Sequence, residues 1–438
     1  YYPNKVEHKT WKTDESGSFT FPQKLQYGTY YLREVNAPDG YLKGEDLKFE
    51  IKEGHEWEDP IEVRYADAPA MGRITVMKED AVSGDALEGA EFTVTAAEDI
   101  ITPDGTLRAS AGEVVDTITS AADGTAQSKE LFLGKYTIKE TKQPIGYAIN
   151  EKTYEVELKY KDQETPIVVE SLTVGNQPTV IIIDKKVTGT EQHLSGVKFA
   201  VWNKLMDVEE GEDSIDPGMS QKLIVKTARD GQAHIEKLAP GTYCIQEVQG
   251  VPGYAMDPTV HEVTIGEDGR IDGEDHVIVT VENAETEIVE TNAYDVETNT
   301  HTGLPQSSTT VRDIVSIENL QPGETYTLKG VIVNQENGLP IEPPAETVGD
   351  VFLDRSITSE VTFEATDSVM DVPVEFTFDS SEMDGLTLTV YEYLYQQDIE
   401  ISNHTDLQDE KQQVTFPDME IHTTAIEQNT QSHEAYIN

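Results

Sequence analysis

The sequence predicts an all-β protein, a series of tandem β-sandwich, immunoglobulin-like domains arranged as a rod. Three observations carry that prediction. Helical periodicity is nearly absent; apolar residues alternate with period two between Gly, Pro, Asn and Asp turns. Whole blocks recur at domain length, and internal repetition sets the domain plan. The 438 residues leave room for three or four domains of ordinary size.

The element that recurs most clearly is residues 134–147, GKYTIKETKQPIGY. It returns as GTYYLREVNAPDGY at 28–41 and as GTYCIQEVQGVPGY at 241–254. In each copy an aromatic, an aliphatic and a glutamate alternate: Tyr30, Leu32, Glu34; Tyr136, Ile138, Glu140; Tyr243, Ile245, Glu247. Alternate residues of a strand share a face, so each glutamate falls on the apolar side. An unpartnered carboxylate there opposes folding, and its threefold recurrence calls for a function.

Two complete blocks surround the later copies. One opens with ITVMKEDAVSGDALEGAEF at 74–92 and the other with VIIIDKKVTGTEQHLSGVKF at 180–199. Each closes on a strand ending in asparagine, at 172–176 and 277–283. Glutamate follows lysine by 62 positions in both blocks (78 to 140, 185 to 247), and asparagine follows glutamate by 36 (140 to 176, 247 to 283). Lys78 shares a face with Ile74 and Val76, and Lys185 with Ile181 and Ile183. Asn176 and Asn283 share faces with Val174 and Val281. A lysine, a glutamate and an asparagine therefore point into one core from three strands. Burial lowers a lysine's pKa and raises a glutamate's, so the pair can exchange a proton and leave a neutral amine. Held beside the asparagine carbonyl, that amine is a nucleophile at high effective molarity. The glutamate can then pass protons to departing ammonia. The residues alone leave open a second outcome, a buried Lys–Glu salt bridge beside a hydrogen-bonded asparagine.

The pattern I-x-V-x-K…L-x-G-A-x-F…G-x-Y-x-I-x-E-x-x-x-P-x-G-Y…N resembles the CnaB-type (SpaA-like, prealbumin-like) domains of Gram-positive surface adhesins and pilins. The resemblance implies intramolecular isopeptide bonds, Lys78–Asn176 assisted by Glu140 and Lys185–Asn283 assisted by Glu247. One departure is Pro252, which falls one place later than Pro38 and Pro144 do. In the first block Glu34 has its motif, and Ile61, Val63, Tyr65 and Asp67 read as a closing strand with aspartate in the asparagine's place. Its lysine strand is expected before residue 1, so residues 1–69 read as the C-terminal part of a domain.

From residue 287 the pattern changes. It runs VETNAYD (289–295), DIVSIENLQPGETYTLKG (313–330), FTFDSS (376–381), LTLTVYEYL (386–394) and HTDLQDEKQQV (404–414). Alternation puts Val289 with Thr291 on the first strand, Leu388 and Val390 with Glu392, and Gln412 with Val414 and Phe416 on the last. Thr291, Gln412, Glu392, His404 and Asp409 are the parts of an acyl transfer in which a hydroxyl attacks a carboxamide. The block resembles the Thr–Gln ester-bond (VaFE-type) domains of the same adhesins, in its Thr-x-Ala entry, its aromatic-Glu pair and its His-x4-Asp-x2-Gln spacing. Tyr391 stands where that family usually has Phe. The resemblance implies a Thr291–Gln412 ester. EIHTTA at 420–425 repeats the entry, making Thr423 the threonine of a further repeat.

The expected domains are therefore 1–69, 70–178, 179–286, 287–418 and the first strand of another at 419–438. With 83 acidic against 32 basic residues, the net charge of −51 disfavours nucleic acid and anionic membrane as partners. No apolar run reaches membrane-spanning length. A single cysteine, Cys244, allows no intrachain disulfide and reads as an inert strand residue. Acidic turns such as 267–275 lack the spacing of a calcium loop, and no cofactor or metal site is expected. The function expected is a structural stalk segment of a cell-wall-anchored extracellular adhesin, with signal peptide and anchor outside this chain. It would be no turnover enzyme. Its partners are neighbouring repeats of the same polypeptide, with host protein or glycan bound by a tip domain elsewhere. The alternatives are a pilus backbone subunit, for which Tyr2-Pro3-Asn4-Lys5 is one place off a sortase lysine motif, and a host-ligand-binding module.

Overall fold

The computed structural model describes residues 10–21, 24–54, 60–204, 222–341 and 356–418. The chain divides into two compact units. One comprises Tyr1–Ile181, Ile235–Tyr243 and Val263–Val277; the other comprises Ile182–His234, Cys244–Glu262 and Ile278–Asn438. The block read as 179–286 thus contributes to both. Among the described residues there is no α-helix, and strands carry the fold.

In the first unit, residues 71–176 form a two-sheet sandwich. One sheet is antiparallel, in the order Thr153–Leu158, Gly134–Lys142, Glu91–Ala96, Val114–Thr119. The other centres on Met71–Asp80, flanked by Ile167–Asn176 on one side and by Thr125–Gln127 and Leu131–Phe132 on the other. Burial alternates along Met71–Asp80, with Gly72, Ile74, Val76, Lys78 and Asp80 all inward. Period-two alternation thus builds the core, in which Ile74, Val76, Phe92, Val94, Tyr136, Ile138 and Val174 pack together. The first and last strands run parallel, with Val174 opposite Lys78 and Asn176 opposite Asp80.

The earlier block pairs Gly28–Leu32 with Leu47–Ile51, and Tyr30 stacks on Phe49 with ring centroids 5.6 Å apart. The closing strand expected at 61–67 does not form; that stretch makes only an isolated bridge beyond it, Pro69 with Tyr41. A strand needs a partner's backbone. In the next block the partner is the lysine strand, and no described residues supply one here.

In the second unit, residues 287–416 make another sandwich. One sheet runs Glu287–Asp295, Thr309–Glu318, Met370–Phe378. The other runs Thr358–Glu364, Thr325–Asn334, Thr387–Gln396, Ile399–His404, with Gln413–Thr415 also paired to Thr387–Gln396. Val311, Val315, Tyr326, Leu328, Phe376, Leu388 and Phe416 lie between them. Two details differ from the simple alternation. The register of Glu287–Asp295 shifts between Ile288 and Glu290, so Ile288 is buried and Val289 is 43% exposed. A bulge inserts one residue and flips the faces on either side of it. Gln412 is not on the last strand but in a 3-10 turn, Glu410–Gln412, whose N-cap Asp409 accepts from the Lys411 amide.

Candidate crosslinking sites

Lys78, Glu140 and Asn176 come from Met71–Asp80, Gly134–Lys142 and Ile167–Asn176, and all three are buried. The Asn176 Nδ2 group donates to both Glu140 oxygens, at 3.0 and 2.9 Å. Glu140 Oε2 also accepts from the Asn150 amide at 2.6 Å. Lys78 Nζ donates to the Val174 carbonyl at 2.9 Å, while Asn176 Oδ1 is buried without a hydrogen-bond partner. Burial lowers the Lys78 pKa to about 8, opposed by the charge of Glu140. Burial raises that of Glu140, opposed by the Asn150 and Asn176 hydrogen bonds and by Lys78. Both shifts favour the neutral forms.

In the second set the contacts close further. Lys185 Nζ donates to Asn283 Oδ1 at 2.6 Å and lies 3.5 Å from Glu247 Oε2. Asn283 Nδ2 donates to Glu247 Oε1 at 2.9 Å. The Asp257 amide points at the same cluster, 3.1 Å from Asn283 Oδ1. Burial lowers the Lys185 pKa and raises that of Glu247. The lysine nitrogen, the asparagine amide and the glutamate carboxyl touch one another.

Glu34 accepts from the Gly44 amide at 2.9 Å, in the same ten-residue relation that links Glu140 with Asn150. Asp67 Oδ1 is buried and unpartnered, and desolvation followed by the Glu34 charge raises the Asp67 pKa. No lysine among the described residues joins them. Thr423 lies outside the described residues.

Residues 287–416 bring together most of the expected set. Thr291, Glu392 and Gln412 are fully buried. Lys411 and Glu290, each next to one member of the Thr291–Gln412 pair, form an exposed ion pair. Thr291 Oγ1 and Gln412 Oε1 have no hydrogen-bond partner. Gln412 Nε2 donates to the His404 carbonyl at 3.4 Å, and His404 Nε2 pairs with Asp409 Oδ2 at 3.0 Å. No hydrogen bond joins His404 to Thr291.

Asp313 is a further member that the sequence reasoning missed. It sits beside Ala293 in the register, is fully buried, and faces Glu392. Neither carboxyl has a hydroxyl or side-chain N–H donor, and the Asn292 backbone amide opposes the rise at Asp313. Desolvation raises both pKa values, that of Asp313 to about 6, and the nearby Asp313 charge adds to the rise at Glu392. Two such groups hold a proton between them. Gly330 makes the room: a Cβ there would lie 2.8 Å from Glu392 Oε2 and collide with Phe376. Asp313 follows the same inward alternation as Val311, Val315 and Ile317, so a signal for it existed.

Tandem sandwiches with lysine, glutamate and amide side chains buried between their sheets define a class: structural surface-protein repeats of the pilin and adhesin type. The chain belongs to the SpaA prealbumin-like fold domain family, whose model matches residues 2–61, 72–172 and 179–277, and residues 287–416 match the T-Q ester bond containing domain. Among solved structures it is similar to the Bacillus anthracis TIE protein (14% identity, TM-score 0.30, covering 80% of this chain and 50% of that one). It is also similar to a streptococcal ancillary pilin (21%, 0.24, 60% and 76%). A third is a Mobiluncus mulieris adhesin containing intramolecular disulfide, isopeptide and ester crosslinks (15%, 0.25, 31% and 57%). The chain spans half the length of the first of these. No curated protein matches it. Among the described residues no helix is long and apolar enough to cross a membrane.

Proposed function

We propose that this chain is a stalk segment of a cell-wall-anchored Gram-positive adhesin that locks its own domains with covalent bonds, each made once. The domains are those delimited at 1–69, 70–178, 179–286, 287–418 and 419–438. In the two complete isopeptide domains the lysine, neutral after giving its proton to the glutamate, attacks the asparagine Cγ. A C–N bond to Nζ forms, the bond to Nδ2 breaks, and ammonia leaves carrying protons relayed by Glu140 or Glu247. In the ester domain Thr291 Oγ1 attacks Gln412 Cδ. His404, held by Asp409, takes the hydroxyl proton, and the Asp313–Glu392 pair supplies a proton to the departing ammonia.

One observation carries the proposal. In both isopeptide sets the nitrogen that must leave is already hydrogen-bonded to a buried glutamate, Asn176 to Glu140 and Asn283 to Glu247. Each bond would join the first strand of a domain to its last, so load entering one and leaving by the other bypasses the sheets. Intact mass tests it. The chain should weigh less than its sequence by one ammonia per bond, three in all; the full sequence mass overturns the proposal.

A further inference from the structure

We propose that the turn following each glutamate strand is a joint that fastens a repeat to the one that follows it. Six positions after each glutamate stands a glycine: Gly40 after Glu34, Gly146 after Glu140, Gly253 after Glu247. All three have left-handed φ, +89°, +86° and +86°. Three positions after Asp67, Asn176 and Asn283 stand Ala70, Thr179 and Thr286, each the last residue before the next repeat's first strand. The amide of each donates to the carbonyl of the matching glycine: Ala70 to Gly40 at 2.9 Å, Thr179 to Gly146 at 2.9 Å, Thr286 to Gly253 at 2.8 Å. The tyrosine beside each glycine pairs with the residue before that donor, Tyr41 with Pro69, Tyr147 with Pro178 and Tyr254 with Glu285. The same short ladder occurs three times, between sequences that otherwise differ.

Each turn also meets the following repeat itself. A Cβ on Gly40 would lie 2.7 Å from Pro103 Cγ, one on Gly146 2.6 Å from the Lys237 carbonyl, and one on Gly253 3.3 Å from Ile401. Polar contacts differ from joint to joint. At the first, Gln163 accepts from the Ala37 amide at 3.1 Å and from the Lys43 amide at 3.0 Å. At the second, buried Asp80 accepts from the Tyr147 hydroxyl and from Lys237 Nζ, each at 2.9 Å. Lys237, itself at positive φ, donates its amide to the Thr179 carbonyl at 3.0 Å. At the third, Gln396 and Gln321 accept from the Gly253 and Met256 amides, each at 2.9 Å. Pro252 is displaced by one place while Gly253 keeps its own, so the joint depends on the glycine and not on the proline.

A side chain at Gly146 needs both a strained φ and space that the Lys237 backbone occupies. The test is Gly146→Ala in the full chain, read by amide hydrogen exchange and intact mass. Exchange in peptides covering 177–180 and 235–238 should quicken about tenfold, with the mass deficit of the parent unchanged. Lys237→Gln, a milder change at a half-exposed side chain, should quicken the same peptides about threefold. Unchanged exchange there in both variants, or a rise in Gly146→Ala spread evenly over 71–176 with none in Lys237→Gln, overturns the joint. Because each variant is compared with its parent, the outcome does not depend on whether the crosslinks form.

Discussion

Replacing Glu140 with glutamine keeps the shape of the side chain and an acceptor for the Asn150 amide, but removes the proton carrier. The Lys78–Asn176 bond should then fail to form. The loop it would close runs from residue 78 to residue 176. In the chain-entropy model, closing a loop of about 100 residues restricts the unfolded state by roughly 4–5 kcal/mol. Lys78, already lowered to about 8 by burial, also loses Glu140, the strongest of the charges that oppose that fall. Loop closure alone sets the expected loss at about 5 kcal/mol. For a domain of this size that is a fall of roughly 20–40 °C in one calorimetric transition. Intact mass should show one ammonia fewer lost, and the remaining transitions should hold their temperatures. A variant that keeps the parent's full deficit, or melts with it, would refute the role of Glu140.

Two more outcomes concern the ester domain. Thr291→Ala leaves the Asp313–Glu392 pair without the bond. The folded-state pKa of Asp313, about 6, lies above its ordinary value, so the folded state binds the extra proton. Its contribution is present in full below about pH 4 and is lost as pH rises through about 6, roughly 3 kcal/mol of stability. Chemical denaturation of that domain at pH 4.5 and pH 7 checks this, and a stability that rises with pH contradicts it. Separately, dilute hydroxide acting on the denatured parent should hydrolyse the ester and spare both amides. One water is gained, residue 412 becomes glutamate, and two ammonia deficits remain; no change of mass would count against an ester.

Much of this was legible because a charged residue on an apolar strand face is rare enough to be informative. Lys78, Glu140, Asn176, Lys185, Glu247 and Asn283 all follow from period-two alternation, and all are buried. What alternation cannot report is the partner of a strand. The 61–67 stretch alternates as well as any other, yet no strand forms without a neighbour to bond to. The parallel pairing of Met71–Asp80 with Ile167–Asn176 was equally hidden, since it joins segments far apart in sequence. The bulge at Ile288 and Glu290 moved Val289 outward with no glycine to mark it. Alternation alone extends the last strand back to Gln412, although Asp409, three residues before it, is the sort of residue that caps a turn. Asp313 needed only the test already applied to its neighbours.

The structure also contains a lysine and a carboxylate in contact that should never condense, and the contrast bears on what would select the proposed pairs. Lys237 Nζ is 2.9 Å from Asp80, closer than the 3.5 Å between Lys185 Nζ and Glu247 Oε2. Yet the Lys237 side chain is 43% exposed, its pKa is raised by the Tyr147 and Asp80 hydrogen bonds, and that of Asp80 is lowered, with Lys237 first among the lowering contacts. Both partners stay charged, and the amine keeps its lone pair bound to a proton. Lys78 is 1% exposed, and there desolvation outweighs the attraction of Glu140. Proximity is common to the two cases. What differs is which protonation state the surroundings favour, and that follows from placing the lysine on an inward position of the first strand rather than at the rim of a joint.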